Sequence, residues 1–137
     1  MRTRSVEVKY VLMGSVLACL TACSLTPPRR DSSQPEPVFA IYRVKPGAEK
    51  ELEGVLRRGW ETYRKARMVS DQPHLCLRVR EDERHTRYVE VFTWVGYFAT
   101  EHSPDSVKRI WEQEGSLCEE REGHPAVEFR EAEIIGR

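Results

Sequence analysis

A chain of 137 residues has room for one domain with short extensions. Its 22 Lys and Arg balance 22 Asp and Glu, and no basic face or Lys/Arg run stands out, so the electrostatic footprint of a nucleic-acid binder is absent. Hydrophobic residues make up 39% and charged residues 32%, the balance of a small domain with a thin core that gains stability by pairing with a copy of itself.

The first segment carries the sharpest signal. Residues 1–9 hold Arg2, Arg4 and Lys9, and residues 10–22 form an apolar run of signal-peptide length, too short for a spanning helix. Leu20-Thr21-Ala22-Cys23 resembles the bacterial lipobox, where a large aliphatic and two small residues precede the cysteine that receives lipid. Val16-Leu17-Ala18-Cys19 is a poorer copy, with bulky Leu17 where a small residue is expected. The resemblance implies cleavage of residues 1–22, acylation of Cys23 and membrane lipid as a partner. Several acyl chains, at about 0.8 kcal/mol per buried CH₂, make a stable anchor. The chain is then expected in the cell envelope. In a Gram-negative host, Ser24 after the cysteine implies the periplasmic face of the outer membrane. Residues 23–37, with Pro27, Pro28, Pro35 and Pro37, read as a flexible tether.

Residues 38–137 read as one domain. A β-branched and aromatic run at 38–44 predicts a strand, and Pro46-Gly47 breaks it. Leu52, Val55, Leu56, Trp60 and Tyr63 then form a helical stripe over 48–67. Leu75, Leu77 and Val79 alternate with Cys76, Arg78 and Arg80, and after a polar turn Tyr88 to Val95 is the clearest strand. Ser103-Pro104 predicts a helix start, with Ser103 as cap, and Val107, Ile110, Trp111 and Cys118 mark the buried stripe. Residues 126–135 close the chain as a mixed-charge strand. The order is βαββαβ, an α+β, ferredoxin-like arrangement.

A first strand followed by Pro46-Gly47, a long helix, a hairpin ending in Tyr88-Val89-Glu90-Val91-Phe92-Thr93-Trp94, and the His102-Ser103-Pro104 helix start with Trp111 resemble the antibiotic biosynthesis monooxygenase (ABM) superfamily. The resemblance covers residues 38–135. It implies a dimeric α+β barrel whose lumen or flanking cleft takes a ligand, and in some members a cofactor-independent oxidation of aromatic molecules. Other members degrade haem with an asparagine near its edge. This chain has no asparagine, which argues against that branch and against monooxygenases that rely on one.

If the second and third strands pair around residues 81–87, Arg80 faces Tyr88, Arg78 faces Glu90, Cys76 faces Phe92 and His74 faces Trp94. That face is aromatic and charged. The opposite face, with Leu75, Leu77, Val79, Val89, Val91 and Val95, is wholly apolar and suits the helices. The aromatic face is then expected to form the homodimer interface.

Arg78 and Glu90 read either as a cross-strand ion pair or as a charged pair that orients a ligand or moves a proton. Trp94, Tyr88 and Phe92 read as interface packing or as a wall for a small aromatic ligand. Trp60 and Trp111 read as core. Glu90 and His102 are the candidate catalytic bases, His102 because it precedes a helix N-terminus. His74, His85 and His124 read as turn residues. No cysteine spacing suggests a metal, and no cofactor is implied. A sheet between Cys76 and Cys118 is expected to keep them from a disulfide. Two functions from different classes remain open: a binding or scaffold domain, and an ABM-like monooxygenase acting on an aromatic.

Overall fold

The computed structural model describes residues 34–71, 74–96, 98–133 and 135. The lipobox and Cys23 lie outside them, as does most of the expected tether. Strand β1 (Glu36–Arg43) begins inside that tether and is followed by a turn in which Gly47 takes φ +88, a conformation open to glycine. Helix α1 (Glu49–Lys65) follows, with Glu49 and Glu51 in its first turn and Arg64 and Lys65 in its last, each complementing the helix dipole. Strands β2 (Leu75–Arg80) and β3 (Thr86–Trp94) form a hairpin. A four-residue helix, α2 (Phe98–Glu101), precedes α3 (Asp105–Leu117), and β4 (Val127–Glu131) ends the fold. The sheet is antiparallel throughout, in the order β2-β3-β1-β4. This is the expected α+β, ferredoxin-like arrangement.

Ser103 does not cap α3. Its hydroxyl donates to the Thr100 carbonyl at 2.8 Å, closing the short helix, and Pro104 occupies the cap position. Helices α1 and α3 pack closely at Gly59, where a Cβ would come within 3.0 Å of Ile110 Cγ2.

The hairpin register differs from the expected one by two residues. Arg78 pairs with Tyr88 and Cys76 with Glu90, because the turn closes at residues 81–85, where Asp82 accepts from the backbone N–H groups of Arg84 and His85. An even shift leaves every side chain on its expected face. What changes is the use of the faces. Tyr88, Glu90, Phe92 and Trp94 are buried with the helices above them, packed with Trp60, Tyr63 and Trp111. The aromatic face is therefore core, and the expectation that it forms a dimer interface is overturned. The physical reason is that the helical stripes are themselves aromatic and fill the gap over the sheet with edge-to-face ring contacts: Trp60 to Phe92 at 6.2 Å and Tyr63 to Trp94 at 5.3 Å. The face left open is mostly aliphatic, with Leu75 and Leu77 49% and 44% exposed beside Val79, Ile41 and Val91, and Phe39 as its aromatic member.

Cys76 and Cys118 are free. No sheet lies between them, contrary to expectation. Cys76 shares the helix side on edge strand β2, whereas Cys118 bridges to Val44 beyond the far end of β1, so the width of the sheet separates them.

Because Trp94 is 4% exposed within the aromatic core, Trp94→Ala is expected to cost about 3–5 kcal/mol of stability, as for other buried aromatics. Urea unfolding checks this; a loss below about 1 kcal/mol would contradict the placement of Trp94 in the core.

Candidate functional site

One buried acid organises the helix side of the sheet. Glu90, in the middle of β3, is 2% exposed among apolar neighbours. A carboxylate in such surroundings requires hydrogen-bonded partners. It has two. The His74 imidazole meets Glu90 Oε1 through Nε2 at 2.7 Å, and the Tyr42 hydroxyl of β1 donates to Oε2 at 2.8 Å. A carboxylate can only accept, so Nε2 carries the proton and Nδ1 is the nitrogen left with a lone pair when the ring is neutral. The His74 ring is also stacked on Trp60 of α1, with centroids 4.1 Å apart and planes 16° from parallel. Burial and the charge of Glu90 raise the Tyr42 phenol well above its ordinary value, so it acts as a fixed donor.

This column forms the inner wall of a cleft of about 500 Å³ between α1 and β2, lined by Glu53, Leu56, Arg57, Trp60, His74, Cys76, Arg78 and Tyr88. The lining is mainly apolar with a few placed polar groups, the usual character of a small-molecule site. At its rim, Tyr88 donates to Glu53 Oε1 at 2.6 Å, and Arg78 reaches both the Tyr88 oxygen, at 3.1 Å, and Glu53. Burial, then the charge of Glu90, pushes the Cys76 thiol up to about 11, which leaves it protonated and a poor nucleophile at neutral pH.

Of the residues singled out in the sequence, Glu90, Tyr88 and Arg78 come together here. Arg78 serves Tyr88 and Glu53 rather than Glu90. Phe92 lies beneath, 6.2 Å from the Trp60 ring and 6.4 Å from His74. Trp94 lines a different cleft, of about 390 Å³, with Val38, Trp111 and Phe129. His102 is exposed between α2 and α3 and lines neither cleft. His74, Trp60, Glu53 and Tyr42 were not read as site residues. The signal that points to them is an acid among inward-facing apolar residues of β3, which calls for a hydrogen-bonding side chain on the adjoining strands.

A second buried acid, Glu114 of α3, is 1% exposed. Tyr63 donates to its Oε1 at 3.3 Å, whereas its Oε2 is buried without a partner. Burial, and then the charge of Glu90, raises its carboxyl to about 8, against the lowering effect of the Tyr63 bond. Among the described residues no group of His, Cys, Asp and Glu has the arrangement of a metal site.

No protein-family model and no curated protein matches the chain. Solved structures do. An asparagine-to-alanine variant of SnoaB, a cofactor-independent oxygenase from Streptomyces nogalater, aligns with a TM-score of 0.55 and 17% identity over 74% of this chain and 95% of that one. A second SnoaB structure aligns at 0.48 with 15% identity, covering 75% and 94%. A Caulobacter crescentus protein assigned by name to the antibiotic biosynthesis monooxygenases aligns at 0.47 with 17% identity, covering 75% and 93%. The chain thus shares the fold of SnoaB.

Proposed function

We propose that the cleft between α1 and β2 takes a planar, weakly acidic aromatic molecule, and that His74 held by Glu90 acts on it as a general base. The observation that carries this reading is the column Glu90–His74–Trp60. A carboxylate fixes the imidazole tautomer and an indole fixes its plane, so the free ring nitrogen is oriented before any ligand arrives. Removing a proton from a CH₂ group conjugated to aromatic rings leaves an electron-rich carbanion, which dioxygen oxidises directly. In the balanced reaction CH₂ becomes C=O, one oxygen atom enters the product and the other leaves as water. SnoaB, described as a cofactor-independent oxygenase, shares the fold and supports this reaction class by analogy. The assignment uses a histidine and a glutamate and needs no asparagine.

Anthrone is the simplest probe with this chemistry. Saturable quenching of Trp60 fluorescence, absent in Trp60→Phe, and oxygen uptake matched mole for mole by anthraquinone are expected. His74→Gln is expected to lower the rate about 10²- to 10⁴-fold while quenching persists, the range for loss of a general base. Quenching without oxygen uptake would leave a binding module and remove the oxygenase. No quenching by anthrone or naphthols would remove the site.

The open aliphatic face supports pairing with a second copy. Leu75 and Leu77 expose it along the edge strand β2, Phe39, Ile41 and Val91 continue it across the sheet, and Arg87, Glu128 and Arg130 supply mixed charge around it. Light scattering of the purified protein is expected to give a dimer that Leu77→Lys splits. A monomer, or a dimer indifferent to Leu77→Lys, would contradict this.

The charged start, apolar run and Leu20-Thr21-Ala22-Cys23 support a lipid anchor at Cys23 in the bacterial envelope. Among the described residues no helix is long and apolar enough to cross a membrane. Loss of membrane association in Cys23→Ala is the expected outcome of cell fractionation, and retention would contradict acylation at that position.

A further inference from the structure

Two acids are buried on one side of one small sheet. Glu90 is 2% and Glu114 1% exposed, and both act electrostatically on the fully buried Tyr42. The elements around Glu114 bring it little compensation. Helix α1 contributes the Tyr63 hydroxyl and the bare backbone of Gly59, β1 contributes Tyr42, β3 contributes Glu90, and its own helix ends in Cys118. Arg58 of α1 is turned to the surface, where it meets Gln113. Lys45 and Arg121 act on Cys118 beyond the end of α3. Among the described residues the ion pairs give Glu90 one basic partner, His74, and give Glu114 none. A buried carboxylate with one weak neutral donor and an orphaned oxygen is too costly to hold ionised, so it keeps its proton. Glu90, with two good hydrogen bonds, is the site for the charge.

We infer that Glu114 is a positioning acid for the cleft: it holds a proton that keeps the interior at a single negative charge, and loss of that proton disturbs the His74–Glu90 pair. The inference rests on the reading of that pair as the base of the cleft. A second buried charge would raise the energy of the Glu90 carboxylate across Tyr42 and draw the proton of His74 toward it. The raised Glu114 carboxyl, at about 8, agrees with this assignment. The interior of the cleft is thereby held in one charge state up to about pH 8.

Carbon-13 NMR of the Glu114 carboxyl in the wild-type protein reads the claim without any variant. A midpoint near 8 is expected, and Glu90→Gln should lower it, since the charge of Glu90 is the second cause of the shift. The His74 ring resonance is expected to step over the same pH range, and Glu114→Gln should abolish that step. A Glu114 midpoint near 4.5, or a His74 ring silent through the Glu114 titration, would overturn the inference. If instead Glu90→Gln leaves the His74 resonance unmoved at every pH, the base itself falls and the inference with it. Stability gives a second readout. A carboxyl raised from 4.5 to about 8 on folding favours the folded chain fully below pH 4.5 and loses that contribution as pH rises through about 8. Glu114→Gln should flatten this loss, and an unchanged pH dependence would count against a protonated Glu114.

Discussion

Much of the arrangement follows from the need to satisfy one carboxylate in an apolar interior. Glu90 lies in the middle of the sheet with helices above it, where an unpaired charge would not be tolerated. Tyr42 reaches it from β1 and His74 from the segment leading into β2, so its two oxygens tie the central strand to both of its neighbours. Trp60 then covers the imidazole from α1, and the wall of the cleft is complete. Structural satisfaction of Glu90 and orientation of a base are the same set of contacts. That is why a group costly to bury can be kept in a thin core.

The aromatic packing has a related logic. Phe92, Trp94, Tyr63 and Trp111 fill the space between sheet and helices, and their edge-to-face contacts leave openings at the two edges of the sheet rather than at its centre. The cleft at the β2 edge holds titratable groups at its wall. The one at the β4 edge is nearly all apolar around Trp94, Trp111 and Phe129. Chemistry is therefore concentrated where the edge strand β2 leaves the rim of α1 uncovered.

The order and type of the main elements were legible because their periodicities are strong: the stripe from Leu52 to Tyr63, the alternation from Tyr88 to Trp94. Alternation also sorted the hairpin residues correctly into two faces. It could not say which face the helices cover, since one face is aliphatic and the other aromatic and both can be buried. The choice lay in Trp60, Tyr63 and Trp111 on the helices, whose size matches the aromatic face. Short α2, closed by one hydrogen bond, and the closure of the hairpin at Asp82, made by two, leave no periodic trace. His74 and Trp60 meet across a fold-dependent distance that no local pattern encodes, and His102 is exposed beside a helix start and lines neither cleft. Nothing in the sequence separates Glu114 from the other charged residues of α3. Its burial depends on Gly59 letting α1 and α3 approach.

Nitrogen-15 NMR of the His74 ring tests the account most directly. If Glu90 holds the imidazole as the contact at 2.7 Å requires, Nε2 will carry the proton, with slowed exchange and a coupling or shift that Glu90→Gln alters, while Nδ1 shows the signature of an unprotonated nitrogen at high pH. A ring whose proton resides on Nδ1, or one that averages freely between tautomers as in water, would contradict the account and leave the cleft without an oriented base.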